Sequence, residues 1–173
     1  MKIIDENIGF VGLGNVGSKL ANSLLISNYN LFLNDINKEK CNTLVLKGAV
    51  FCNSLEELAS KVSVIITCLP SPAAVSEVIE GTNGLINYLT SSHLWIEMST
   101  TDEKEMIRLN NLLSNISVSI LEAPVTGGQH RAATGNIAIL ASGKRKSFDR
   151  SLPILSEIGY EILFCGKLGY AST

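Results

Sequence analysis

The chain has 173 residues, 46% of them hydrophobic and 17% charged, enough for one well-built core and ordinary for a globular protein. A formal net charge of −2, with no basic run longer than Lys144, Arg145 and Lys146, excludes the electrostatic footprint of a nucleic-acid or anionic-membrane binder. Cys41, Cys52, Cys68 and Cys165 are scattered without a C-x-x-C pair, so neither a metal site nor a redox pair is expected and they read as reduced, mostly buried small hydrophobes.

In chain order, MKIIDENIGF breaks its apolar character at Asp5, Glu6 and Asn7, which fits neither a secretory signal nor a membrane span, and a cytoplasmic address is expected. NIGFV (7–11) reads as a strand and 15–27 as a helix with Val16, Leu20, Ser23 and Leu24 on one face. NLFLN (30–34) is a second strand, and 37–48 a helix stopped by Gly48. AVFC (49–52) is a short strand, after which Ser54 and Glu57 form a capping box that starts another helix.

VSVIITCL (62–69) is the most continuous apolar run, as a strand covered on both faces should be, and Pro70 and Pro72 end it. A helix near 73–80, strand 94–98, helix 102–114 and strand 118–123 follow, then NIAILAS (136–142), a helix over 147–158 and the strand EILFC (161–165). Lys144, Arg145 and Lys146 read as a solvated turn. This alternation predicts βαβ units, hence an α/β, Rossmann-type doubly wound, mostly parallel sheet with helices on both faces.

Gly12-Leu13-Gly14-Asn15-Val16-Gly17 fits G-x-G-x-x-G between a strand and a helix, the context that the motif requires. Gly12 would make the turn out of the strand, Gly14 admit a pyrophosphate, and Gly17 let the helix pack closely on the strand. The phosphates would lie at the helix N-terminus, where unpaired N–H groups and the helix dipole stabilise negative charge. Asp35, 18 residues past Gly17, stands where an acid hydrogen-bonds the adenosine ribose. A carboxylate there repels a 2′-phosphate, and no Arg follows in INKEK, so NAD is expected over NADP. A second reading leaves Asp35 only capping a helix that begins near Asn37.

With these residues in place the chain resembles the β-hydroxyacid dehydrogenase family, the group of 3-hydroxyisobutyrate dehydrogenase, tartronate semialdehyde reductase and, more distantly, 6-phosphogluconate dehydrogenase. The resemblance covers nearly the whole chain. Besides the glycine loop it is carried by CLPSP (68–72), GTNGL (81–85), IEMSTTD (96–102), EAPVTGGQHRAATGNIAIL (122–140) and FCGKLGYA (164–171), and the segment around APVTGG is its most specific part. It implies that Leu69 and Pro70 form a turn against the cofactor and that Thr100 approaches the nicotinamide side. It further implies that Thr126, Gly127 and Gly128 form the loop that holds a substrate carboxylate, a role for which consecutive glycines suit the backbone. Ala74 departs from a polar Asn common in the family, and Glu122 from the commoner Asp.

His93 and His130 read as surface residues, and Glu97 and Glu122, at strand ends, as caps of neighbouring helices. The family's general acid–base Lys lies in a motif G-x-G-x-x-x-K whose start Gly169-Tyr170-Ala171 resembles, with Ala171 in place of the second Gly; the motif's spacing puts the Lys two residues beyond Thr173. The resemblance therefore implies a dinucleotide-binding domain over 1–165, a connection starting at 166–173, and a helical second domain outside the chain that makes a homo-oligomer. The function implied is hydride transfer between NAD and a small β-hydroxyacid, with these residues alone inactive. Two alternatives stay open: an imine reductase on the same scaffold, and a non-catalytic NAD-binding module.

Overall fold

The computed structural model describes residues 6–172. Its central sheet begins with β1 (Asn7–Val11), β2 (Asn30–Asn34), β3 (Val50–Phe51), β4 (Val64–Thr67), β5 (Leu94–Glu97) and β6 (Ser119–Glu122), and ends with β7 (Val125–Thr126), β8 (Ala138–Gly143) and β9 (Glu161–Gly166). The first six are mutually parallel in the order β3-β2-β1-β4-β5-β6. β8 then runs antiparallel to β6 and β7 along one edge and parallel to β9 along the other. The expected mostly parallel, doubly wound sheet is therefore present. Strand order reverses between β1 and β4, which opens a crevice at their carboxyl ends.

Seven α-helices connect the strands among the described residues: α1 (Gly17–Ile26), α2 (Asn42–Val45), α3 (Leu55–Ala59), α4 (Pro72–Glu80), α5 (Glu103–Leu113), α6 (Gly128–Ala133) and α7 (Arg145–Ile158). One face of the sheet is covered by α1, α2 and α7 through Leu20, Leu24, Leu44, Ile154 and Leu155. The other is covered by α3, α4 and α5 through Leu58, Val75, Ile79, Met106 and Leu109, packed around Trp95. Because β1, β4 and β5 lie between both layers, they are apolar on both faces, with Ile8, Phe10, Ile65 and Ile66 fully buried.

Local signals explain the helix starts. Asp102 accepts the Glu105 N–H and places Glu103 and Glu105 in the first turn of α5, where acids complement the helix dipole. Ser71 does the same for the Ala74 N–H, with Pro72 in the first turn of α4. The capping box forms as Ser54 accepts the Glu57 N–H at 3.0 Å, while the Glu57 carboxylate reaches the N–H of Asn53 at 2.8 Å, one residue earlier than the motif prescribes.

Three expectations are corrected, and one segment left unassigned holds structure. Residues 37–48 make a 3-10 turn (Lys38–Cys41) and the single-turn α2, because Asn37, Asn42, Thr43 and Val45 favour caps and extended backbone over a long helix. Lys144, Arg145 and Lys146 are exposed, yet Arg145 opens α7 instead of lying in a turn. The segment 125–133, to which the sequence reading assigns no element, holds β7 and α6, both short and without a periodic pattern. Cys41 and Cys52 are buried, whereas Cys68 and Cys165 are half-buried, and all four are free thiols. Among the described residues no helix is long and apolar enough to cross a membrane.

Candidate functional site: the carboxyl edge of the sheet

The glycine loop sits in the crevice between β1 and β4, and its three glycines have separable roles. A Cβ on Gly12, whose φ is +94°, would come within 2.4 Å of the Cys68 carbonyl oxygen and 2.8 Å of a Leu69 methyl. One on Gly17 would lie 2.1 Å from the Gly12 carbonyl oxygen. Both positions must lack a side chain for the loop to close on the start of α1 and the end of β4. Gly14 differs, since a Cβ there meets nothing within 4 Å. The space over Gly14 is open, and no side chain caps α1 beside it. The Ser18 and Lys19 N–H groups bond the Gly14 and Val16 carbonyls, which leaves the amides of 14–17, beneath the open glycine, as a cradle for a pyrophosphate, so the residues present fit a dinucleotide.

Asp35 follows β2 as expected and holds the loop directly: one carboxylate oxygen accepts the Leu13 N–H at 2.7 Å and the other the Asn37 N–H at 2.8 Å. Asn37 is the residue that caps the following turn, so Asp35 joins the end of β2 to the glycine loop. Beside Leu13 and Ser18 lies a concavity of about 340 Å³ that Lys19, Lys40 and Lys47 line. These lysines come from three separate elements, and no local motif in the sequence groups them.

The turns after β4 and β5 meet at Ser99, whose hydroxyl accepts the Leu69 N–H at 2.7 Å. Leu69, Pro70 and Thr100 thus come together on the crevice side, with Pro70 and Thr100 exposed. The thiol of Cys68 is pushed up to about 12 by burial and then by the charge of Glu97, which keeps it in the neutral thiol form at neutral pH.

Thr126 ends β7 exposed, and Gly127 (φ +124°) and Gly128 (φ +72°) take backbone conformations that side chains rarely adopt. This turn leads into α6, which packs against α1 through the buried Ala132. The threonine-glycine-glycine turn and the dinucleotide cradle are therefore tied to each other through packed helices. His130 on α6 is exposed.

Three other expectations are overturned by burial. His93 lies in the interior: Nδ1 accepts the Thr90 N–H at 2.9 Å and Nε2 donates to the Ala59 carbonyl at 3.1 Å, so the ring pins the amino edge of the sheet. Glu97 and Glu122 cap no helix. They are fully buried register neighbours on β5 and β6, continued by Thr67 on β4 and Ser142 on β8 into one polar row across four strands. Glu97 accepts the Thr67 hydroxyl and, at 2.6 Å, the Ser99 N–H. Glu122 accepts the Ser142 and Ser172 hydroxyls and, at 2.9 Å, the Gly169 N–H, so it anchors the chain that leaves β9. The sequence shows both acids, but only the register shows that they are adjacent. Among the described residues no group of three or more His, Cys, Asp or Glu is placed to hold a metal ion.

Sheet order, glycine loop and uncapped α1 define a dinucleotide-binding domain of the doubly wound class. The family profile "NAD binding domain of 6-phosphogluconate dehydrogenase" matches residues 7–166, and the chain belongs to that family. It is 32% identical over 164 residues to the probable mitochondrial 3-hydroxyisobutyrate dehydrogenase of Dictyostelium discoideum, an alignment that covers 95% of this chain and 51% of that protein. The structure of Mycobacterium tuberculosis 3-hydroxyisobutyrate dehydrogenase with L-serine matches with a TM-score of 0.90 and 25% identity, over 98% of this chain and 57% of the other. An imine reductase from Myxococcus stipitatus, as its V8 variant with NAD+, has a TM-score of 0.90 at 16% identity over 98% and 58% of the two chains. Its complex with NADP+ gives 0.89 at 17% over 96% and 57%. At such identity the imine reductase shares the fold alone. The chain spans about half the length of the curated relatives it matches.

Proposed function

We propose that the chain is the cofactor-binding half of an oxidoreductase that moves hydride between NAD and a small β-hydroxyacid of the 3-hydroxyisobutyrate type, CH–OH to C=O. The observation that carries this reading is the open cradle over Gly14, tied through α1 and α6 to the exposed Thr126-Gly127-Gly128 turn. A bound nicotinamide supplies the hydride chemistry. The residues of this chain bind and orient: the amides at the start of α1 take the pyrophosphate, Asp35 the ribose hydroxyls, and Leu69, Pro70 and Thr100 face the nicotinamide end. Thr126 and the two glycines hold the substrate carboxylate.

NAD is the cofactor in preference to NADP, on the strength of the Asp35 carboxylate; Lys19, Lys40 and Lys47 nearby pull the other way. Proton transfer falls to the family's Lys, which the resemblance places beyond Thr173, so the 173-residue chain binds cofactor without turnover. Self-association and substrate choice fall in this reading to the whole protein. The four free thiols suit a reducing compartment, in this reading the cytoplasm. The direct test is a panel of 3-hydroxyacids and cyclic imines assayed at 340 nm with the longest natural form of the protein. Oxidation of 3-hydroxyacids supports the reading, and imine reduction alone replaces it.

A further inference from the structure

Every hydrogen bond around Glu97 runs toward its carboxylate. The Trp95 Nε1–H donates to the Thr67 hydroxyl at 2.8 Å, which donates in turn to one carboxylate oxygen. The Ser99 N–H donates to the other at 2.6 Å, and the Ser99 hydroxyl oxygen accepts the Leu69 N–H at 2.7 Å. Protonating Glu97 would place a hydrogen against donors already aimed at it. The Thr67 hydroxyl can answer by rotating, whereas the Ser99 N–H is fixed in the backbone and exchanges a charged acceptor for a neutral one, which loosens the residue whose hydroxyl holds Leu69.

The surroundings favour that proton. Burial pushes the Glu97 carboxyl up to about 7, and the charge of Glu122 across the strand pair adds to it, against the pull of Ser99 and Thr67. The titratable groups that face Glu97 are Glu122 from β6 and Cys68 from the end of β4, and from α5, which covers this face, Glu103 packs on Gly169 beyond Glu122. Among the described residues no Lys, Arg or His pairs with it. The burial that favours the proton and the hydrogen bonds that exclude it are therefore opposed near neutrality.

We propose that Glu97 is a positioning residue for the dinucleotide site: its ionised carboxylate orders Ser99, Ser99 holds the Leu69 amide, and the cofactor-facing turn at 68–70 keeps its shape only while that chain of bonds is intact. Glu97 touches no cofactor in this account; it acts through Ser99 and Leu69. The inference rests on the reading of this edge as a dinucleotide site.

The test has two arms. In the ligand-free chain, the Glu97 side-chain carbon and the Leu69 and Ser99 amides are followed by NMR from pH 5.5 to 8.5. All three move with one midpoint; in Ser99→Ala the carboxyl still titrates but the Leu69 amide no longer follows. In the second arm NAD+ is titrated by calorimetry between pH 6 and 8. Affinity rises about tenfold with pH in the native chain, the scale of one charge-assisted hydrogen bond, and is flat in Glu97→Gln and Ser99→Ala. A Leu69 amide that ignores the Glu97 titration overturns the proposal whatever binds, and so does an undiminished pH slope in Glu97→Gln. Coupled NMR shifts with no dinucleotide binding at any pH would instead uphold the Glu97–Leu69 link and overturn the cofactor reading.

Discussion

The carboxylate of Asp35 accepts the backbone N–H of Leu13 at 2.7 Å, so the acid that ends β2 is also a strut for the glycine loop after β1. Loop geometry therefore depends on the side chain to which the proposed function gives the ribose. Asp35→Ala is expected to weaken NAD+ binding by about 1–2 kcal/mol and to weaken NADP+ binding less, narrowing the gap between them. Calorimetric titration of both cofactors checks it; an unchanged ratio would mean that another residue reads the ribose.

Lys40 lies on the concavity beside Leu13 with Lys19 and Lys47, where positive charge favours a phosphate-bearing ribose. Lys40→Ala is accordingly expected to lower NADP+ affinity by about threefold and leave NAD+ affinity within error, a modest effect for one exposed lysine. Parallel titrations at low and high salt would show the difference shrinking as screening rises.

Gly14 and Gly17 separate binding from folding. A methyl on Gly17 collides with the Gly12 carbonyl oxygen at 2.1 Å, and backbone cannot yield as a flexible side chain does. Gly17→Ala should cost about 2 kcal/mol or more in urea denaturation, despite the better helix propensity of alanine. Gly14→Ala meets open space, so stability should stay within about 0.5 kcal/mol while NAD+ affinity falls at least about tenfold.

Glu97 also makes stability depend on pH, and the sign is set by its raised value. The folded state holds the Glu97 proton up to about 7, against an ordinary 4.5, so between those values the folded chain binds more protons than the unfolded one. Its contribution to stability is thus full below about 4.5 and lost as pH rises through about 7. Glu97→Gln removes this loss and should be the more stable protein at pH 8, by at most about 3 kcal/mol, with little difference at pH 4.5. Thermal melts at the two pH values measure it, and an equal shift at both would show that the carboxyl is not protonated on folding.

What the sequence made legible was whatever is written locally. Gly12, Gly14, Gly17 and Asp35 announce themselves by spacing, Ser54 by its capping box, and the strand 64–67 by an unbroken apolar run. The misses share the opposite property. β7 has two residues and α6 opens on glycine, so neither shows a period, and Thr126 is placed by pairing with Ala138, a residue 12 positions away. His93 is polar and preceded by two serines, and only the approach of the Ala59 carbonyl makes it interior. Glu97 and Glu122 are 25 residues apart in sequence and become neighbours through strand register alone. Lys144 to Lys146 look like a turn because basic residues oppose the dipole at a helix start, a local cost that Phe148, Ile154 and Leu155 offset by burial.

Whether the carboxyl edge of this sheet takes a dinucleotide is decided by calorimetric titration of NAD+ and NADP+ into the 173-residue chain. One site per chain is expected, with tighter binding of NAD+ than of NADP+ and affinity at least about tenfold weaker in Gly14→Ala at unchanged stability. A folded chain that takes up neither dinucleotide between pH 6 and 8, or whose affinity is the same in Gly14→Ala, would contradict it.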